Sequence, residues 1–317
     1  MTQPFDASPL SLDPRLARCN LCPRRCGADR FSGPAGACAS GAGLEVAAVC
    51  LHTGEEPVLG GAPGVCNVFF SGCNLRCIFC QNYQVSRGGT AAARRMDAAT
   101  VMKRIHALMN GGCDTLGLVS PSHVSSQVKA LLTALNMAGL SPTVVHNGNG
   151  YDDPSVLKEL AGKVDIYLPD MKYADGNLSL RLSGVKDYPD VAFAALEEMI
   201  RQVGRGLETD AQGVARRGLI VRHLVLPGCL DNSISLLRKL AERVGTAIHL
   251  SLMAQYRPPA ELDCPPPLNR RLCRAEYDTV VDEALRLGFT AGWFQDPDSA
   301  DNHVPDFSSP NPFEKRQ

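Results

Sequence analysis

The 317-residue chain carries 32 Lys and Arg against 33 Asp and Glu, a formal net charge of −1, with 44% hydrophobic and 21% charged residues. Those are values of a folded globular chain, so disorder over most of the length is excluded. Near neutrality leaves no whole-surface field to hold nucleic acid or an anionic membrane, and neither partner is expected.

Apolar runs such as Leu219–Leu226 stop short of the roughly 20 residues that span a bilayer. The first twenty residues contain Asp6, Asp13 and three prolines without an apolar stretch, so no signal peptide and a cytoplasmic location are expected. Thiols in that compartment stay reduced, which turns the 13 cysteines into candidate metal ligands rather than disulfides. Seven of them fall in two groups: Cys19, Cys22, Cys26 and Cys38, then Cys73, Cys77 and Cys80. Cys50, Cys66, Cys113, Cys229, Cys264 and Cys273 are scattered and read mostly as small buried hydrophobes.

In chain order, residues 1–18 read as a flexible leader and residues 19–45 as a Cys-rich segment with too few apolar residues for a core. Residues 46–295 form the main domain. Val65–Phe70 is a predicted strand, and Asp97 caps a helix whose Val101, Ile105, Leu108 and Met109 share one face. Strand Thr115–Ser120 precedes a helix using Val124, Val128, Leu131, Leu132 and Leu135. Strand Thr143–His146, helix Pro154–Ala161, strand Val164–Leu168 and a helix near Val191–Val203 follow. Strand Leu219–Leu226, helix Asn232–Val244, strand Ala247–Met253 and helix Arg274–Leu287 complete the series. Residues 296–317 are polar and Pro-rich and read as an extended tail.

Repeated β-α units with short apolar strands argue for an α/β fold with a parallel sheet covered by helices. Six or seven units suggest a full or partial barrel. Neither a GxGxxG nor a Walker A sequence is present to favour a doubly wound sheet; Gly148-Asn149-Gly150 lacks the third glycine.

Cys73-Asn-Leu-Arg-Cys77-Ile-Phe-Cys80 follows the first barrel strand directly, with the spacing CxxxCxxC. Three thiolates on one loop can ligate three irons of a [4Fe–4S] cluster and leave the fourth open to a substrate. The loop sits at a C-terminal strand end, where barrel enzymes place their chemistry.

These three cysteines resemble the signature of the radical S-adenosylmethionine (radical SAM) enzymes. Phe69-Phe70-Ser71-Gly72-Cys73 and Cys80-Gln81-Asn82 resemble the pyruvate formate-lyase activating enzyme branch in particular. Asn149-Gly150-Tyr151, Asp170-Met171-Lys172, Arg222-His223 with Leu226-Pro227-Gly228, and Gln255-Tyr256-Arg257-Pro258 are similar to further motifs of that branch. The resemblance covers roughly residues 45–290. It implies a partial (β/α)6 TIM-like barrel of radical SAM type that binds one [4Fe–4S] cluster and S-adenosylmethionine. It places Phe79 on the adenine, Asn149 at the cofactor, Arg222 near its carboxylate, and Asp170 and Lys172 beside the cofactor or the substrate. Where most of the superfamily has Gly-Gly-Glu, this chain reads Val119-Ser120-Pro121-Ser122-His123. Ser120 is the cofactor-side candidate of that loop. His123 is either an acid/base or substrate contact, or a helix N-terminal capping residue. His52, Glu55, Glu56 and His146 also fall near strand ends or lead-in loops.

The branch resemblance implies an activase that makes a glycyl radical on a partner enzyme and takes electrons from a flavodoxin or ferredoxin. The alternative is radical modification of a small molecule or peptide in a maturation pathway. A non-catalytic iron–sulfur or zinc protein is the third reading. Cys19, Cys22, Cys26 and Cys38 suit either a tetrahedral zinc or a second [4Fe–4S] cluster. Arg15, Arg18, Arg24, Arg25 and Arg30 make this end basic, either as a docking face for an acidic electron donor or as a solvated surface.

Overall fold

The computed structural model describes residues 13–87, 95–297, 305–309 and 311–313. Its elements are, in chain order, β1 (Val46–His52), β2 (Val65–Phe70), α1 (Tyr83–Ser86), α2 (Ala98–Asn110), β3 (Thr115–Val119), α3 (Ser125–Met137), β4 (Thr143–Gly148), α4 (Pro154–Lys158) and β5 (Ile166–Pro169). There follow α5 (Gly176–Ser183), α6 (Tyr188–Val203), β6 (Leu207–Thr209), β7 (Ala215–Leu224), α7 (Leu230–Arg243), β8 (His249–Met253), α8 (Arg274–Leu287) and β9 (Gly292–Phe294).

The strands run β1-β2-β3-β4-β5-β7-β8-β9 across one sheet, with β6 paired to β7. From β2 to β9 every pairing on this path is parallel. A parallel step needs a crossover, and each of these steps carries at least one helix. β1 is antiparallel to β2 and closes one edge, while β9 ends the other. The result is the expected partial barrel of repeated β-α units.

Helix faces and strands bury together as the apolar spacing requires. Val101 and Ile105 of α2, Val128, Leu131 and Leu135 of α3, and Leu236, Leu237 and Leu240 of α7 are all buried. Each such side chain contributes roughly 1.5–3 kcal/mol by leaving water. Asp97 caps α2 as expected, its Oδ1 accepting from Thr100 N at 2.7 Å.

Several boundaries differ from the expectation. β7 begins at Ala215 rather than Leu219, because Ala215 and Arg217 pair with β6, and the exposed-looking Arg216-Arg217 masked that start. β1, β6, β9 and α5 carried no clear periodic signal. The flexible leader expected over residues 1–18 lies outside the described residues as far as residue 12. Residues 14–18 instead form a 3-10 turn whose Leu16 is fully buried. The tail expected from residue 296 lies partly outside the described residues. Its described part is anchored by Phe307, edge-on to Phe69 with ring centroids 5.1 Å apart, and by Phe313, stacked on His52 at 3.9 Å. No helix among the described residues is long and apolar enough to cross a membrane.

Candidate active site

The parallel register aligns the C-terminal ends of the strands: Phe69 with Val119, Val119 with Asn147, Gly148 with Pro169, and Leu224 with Met253. A cavity of about 500 Å³ opens there, within the size range of small-molecule sites. Cys73, Cys77 and Cys80 line it, together with Phe79, Ser120, Asn149, Asp170, Lys172 and Arg222. Nine of the sequence-predicted site residues are therefore brought to one place.

The cysteine loop leaves β2 through Ser71 and Gly72. Gly72 has φ +84°, and a Cβ there would stand 2.3 Å from the Cys38 carbonyl oxygen, so only glycine fits. Cys73 and Cys77 are buried and Cys80 is half-buried. Burial, followed by the neighbouring Cys77, pushes the Cys80 thiol up to about 12. Burial also raises Cys77, while the Lys172 ammonium opposes it. Each sulfur accepts a side-chain hydrogen bond: Cys73 from Asn149 Nδ2 at 3.4 Å, Cys77 from Ser183 Oγ at 3.0 Å, and Cys80 from Ser86 Oγ at 3.3 Å.

Opposite the cysteines lies an ion network. Arg222 Nε donates to Asp170 Oδ1 at 2.9 Å and Arg222 Nη2 to Asn147 Oδ1 at 2.6 Å. Lys172 Nζ donates to Asp170 Oδ2 at 2.5 Å. Burial works against the Asp170 carboxylate, but Arg222 and then Lys172 outweigh it and hold its pKa below the usual range. Burial likewise works against the Lys172 ammonium, and Asp170 more than restores it. Arg222 Nη1 is 3.8 Å from Glu56, whose other carboxylate oxygen is buried without a partner. Burial pushes the Glu56 carboxyl up, against the pull of Arg222.

The backbone joins these motifs. Gly150, at φ +79°, lets the chain pass within contact of the Asp170 carbonyl, which a Cβ would meet at 2.2 Å. The Tyr188 hydroxyl stands 2.9 Å from Asn149 O and 2.7 Å from Asp170 O and accepts from Lys172 N at 3.1 Å. Ser120 directly follows β3 with φ +56°, an uncommon conformation for a residue with a Cβ, and its N–H donates to Asn147 O at 2.9 Å.

His123 does not join this group. It lies in the 3-10 turn Pro121–His123, outside the cavity lining, with Nε2 2.9 Å from Ser71 O. Nor does it cap a helix: the residue at the start of α3 is Val124, without a side-chain cap. The helix-capping reading of His123 is corrected, and its ring lies outside the cavity lining. The turn rotates its ring inward toward the loop after β2.

The first cysteine group packs behind the second. Cys19, Cys22 and Cys38 are buried and Cys26 is exposed. Burial pushes the Cys22 thiol up to about 12, and Cys38, Cys19 and Cys26 add to the rise. Of the basic residues here, Arg15 is bound to Asp13 and Glu159, Arg24 to four carbonyls, and Arg30 is buried against Gly41 O and His123 O. Arg18 and Arg25 remain exposed, and Arg25 pairs with Asp153 at 3.0 Å. Most of the expected basic face is thus engaged within the fold.

Among the described residues, no three His, Cys, Asp or Glu side chains are drawn together closely enough to hold one metal ion as they stand. A tetrahedral zinc gathers its sulfurs at about 2.3 Å from one centre, whereas a [4Fe–4S] cluster takes each thiolate on a separate iron. Three neighbouring, hydrogen-bonded sulfurs on a cavity wall therefore fit a cluster's donor set.

Sequence reasoning passed over Asn74, Ser86, Asn147, Tyr173, Ser183 and Tyr188. Asn74 stands inside the cysteine motif, at a position the spacing leaves open; the other five meet the site only through the fold. Glu55 and Glu56 were visible as an acidic pair after β1, but nothing local ranked one above the other.

No family model matches the chain. An uncharacterized protein of Methanocaldococcus jannaschii, MJ0674, is 28% identical over 243 residues, covering 74% of this chain and 65% of that one. Crystal structures of Streptococcus suis SuiB, one of them with S-adenosylmethionine bound, are similar at 15% identity over 71% of this chain, with TM-scores of 0.45 and 0.44. Methylornithine synthase, PylB, is similar at 14% identity over 77% of this chain and 63% of its own, with a TM-score of 0.47. The chain spans about two-thirds of the archaeal relative and 47% of SuiB.

Proposed function

We propose that the protein is a radical SAM enzyme. The observation that carries this reading is the lining of one cavity by Cys73, Cys77 and Cys80 on one wall and by the Arg222–Asp170–Lys172 network on another. When bound, a [4Fe–4S] cluster supplies one electron to S-adenosylmethionine, which splits into methionine and a 5′-deoxyadenosyl radical that takes hydrogen from the substrate.

The chain's own residues orient and exclude. Cys73, Cys77 and Cys80 would hold the cluster. Arg222 Nη1, 3.8 Å from Glu56 and beyond hydrogen-bond reach of it, is the donor for the cofactor's carboxylate. Asp170 keeps that guanidinium aimed, and Lys172 keeps Asp170 charged. Phe79, buried and lining the cavity beside Tyr256, offers an apolar face to the adenine. Ser120 presents strand-end backbone in the place of the missing Gly-Gly-Glu. Phe69, Phe313 and Trp293 wall the cavity against water.

The hydrogen donor is a glycine of a partner enzyme, supported by the likeness of Phe69–Cys73 and Cys80–Asn82 to the activating-enzyme branch. Cys19, Cys22, Cys26 and Cys38 hold a second metal centre, supported by three buried sulfurs and by four cysteines within 20 residues of chain. A flavodoxin or ferredoxin is the proposed electron donor.

Anaerobic reconstitution followed by assay for 5′-deoxyadenosine with S-adenosylmethionine and dithionite tests the reaction. The wild type forms it and the Cys73→Ala/Cys77→Ala/Cys80→Ala variant does not; undiminished cleavage in that variant overturns the reading. Metal analysis of the same variant tests the N-terminal centre. Zinc or iron retained there supports it, and neither above background removes it.

A further inference from the structure

The three sulfurs of the proposed cluster loop are not equivalent. Asn149 Nδ2 reaches Cys73 at 3.4 Å and divides its two hydrogens between that sulfur and Asn74 Oδ1 at 2.7 Å. Ser86 Oγ reaches Cys80 at 3.3 Å. Ser183 Oγ comes closest, 3.0 Å from Cys77, and a second hydroxyl stands behind it: Tyr173 Oη is 2.6 Å from Ser183 Oγ.

Proton bookkeeping gives this chain a direction. A serine hydroxyl has one hydrogen, and Ser183 directs it to the sulfur. The Tyr173 hydroxyl must then donate to Ser183. Both residues are buried, Ser183 at 1% and Tyr173 at 0% exposure, which strengthens each bond and lets the first polarise the second.

We infer that Tyr173 and Ser183 form a hydrogen-bond relay that sets the reduction potential of the cluster through its Cys77 ligand. The inference rests on the radical SAM reading. Reducing the cluster adds one electron, which spreads partly onto the ligating sulfurs. A donor aimed at one of those sulfurs stabilises the reduced form more than the oxidised form, and so raises the potential. No proton moves and no bond breaks: the electron comes from the reductant, dithionite in the test below, and Ser183 keeps its hydrogen.

The relay is placed by tertiary contacts. Ser183 closes α5, and the Arg24 guanidinium binds the carbonyl oxygens of Ser183 and Gly184 at 3.1 and 2.8 Å. Tyr173 follows the Asp170-Met171-Lys172 segment, so the side that holds Arg222 in place also supplies the outer hydroxyl. Ser183 and Tyr173 act through the Cys77 sulfur and are positioning residues.

Anaerobic redox titration of the reconstituted full chain without S-adenosylmethionine, followed by absorbance and by the spin-resonance signal of the reduced cluster, reads the relay directly. Ser183→Ala is expected to shift the one-electron equilibrium about two- to tenfold toward the oxidised form, or about 18–59 mV more negative. Tyr173→Phe is expected to shift it in the same direction by less, and Ser183→Thr to restore the wild-type potential. Wild-type potentials in both Ser183→Ala and Tyr173→Phe overturn the inference. If Ser183→Ala loses the cluster, Tyr173→Phe alone decides, and an unchanged potential there overturns it. Failure of the wild type to assemble about four irons at Cys73, Cys77 and Cys80 would instead strike at the radical SAM reading, by a different measurement.

Discussion

Arg24 Nε donates to the Asn74 carbonyl oxygen at 2.7 Å, joining residues 50 apart in sequence. The same guanidinium reaches the carbonyls of Leu75, Ser183 and Gly184. Arg24 lies between Cys22 and Cys26, and Asn74 and Leu75 lie between Cys73 and Cys77. One side chain of the first cysteine group therefore pins the loop of the second.

Removing that pin should loosen the loop. Arg24→Ala leaves four carbonyls to find water and is expected to destabilise the fold by roughly 1–3 kcal/mol. Iron should also leave the reconstituted protein faster when a chelator is added. Arg24→Lys should recover only part of either effect, because an ammonium lacks the planar fork. Wild-type iron release from Arg24→Ala would show that the loop needs no such support.

Arg222 holds Asp170 and, in the proposed reading, also receives the cofactor's carboxylate. Arg222→Ala strands the buried Asp170 carboxylate with Lys172 alone. S-adenosylmethionine affinity, measured by calorimetry on the reconstituted protein, is expected to fall by at least about tenfold. Lysine should not restore it, since it cannot engage Asp170 and Asn147 together. Unchanged affinity in Arg222→Ala would move the carboxylate contact elsewhere in the cavity.

Gly72 tests the packing of the two cysteine groups without touching a sulfur. Gly72→Ala adds a Cβ 2.3 Å from Cys38 O at a φ of +84°. Overpacking and left-handed strain together predict a loss of about 2–5 kcal/mol. Gly139→Ala is the comparison: φ is +76°, but nothing stands within 4 Å of the new Cβ. It should cost only the backbone strain of about 1–2 kcal/mol. Equal thermal midpoints in the two variants would mean that the Cys38 contact yields easily.

Two buried histidines give stability a pH dependence. Burial holds His123 and His223 down to about 4, with Arg30 adding to the effect at His123 and Lys172 at His223. A lowered folded pKa means that the neutral ring is the one accommodated. The stability it contributes is present above the unfolded pKa of about 6.5 and is lost as pH falls toward the folded value. At pH 5 the loss is on the order of 2 kcal/mol per histidine. Denaturant midpoints at pH 7 and pH 5 should converge by about that amount in His223→Gln, where the amide can replace the bonds to Met171 O and Ser233 Oγ. No convergence would mean that His223 charges without penalty.

Much of this architecture was legible in the chain alone, for local reasons. The alternation of apolar strands with 3.6-period helices marks the parallel sheet, and the Asp97 cap, the CxxxCxxC loop after β2, and Asn149, Asp170 and Arg222 at strand ends all sit where the sequence places them. Such features repeat at short range, so periodicity and spacing reveal them. The relay to Cys77, the grip of Arg24 and the inward turn of His123 could not be read that way. Ser183 is 106 residues from Cys77, and Arg24 is 160 from Gly184. Nothing in the residues between them encodes the contact; it arises when parallel strands bring their C-terminal ends to one rim. The sequence by itself determined which ligand set the chain can offer, because ligand spacing is covalent. Only the tertiary structure decided which hydroxyl faces which sulfur, because a buried hydrogen bond depends on distance and direction in space.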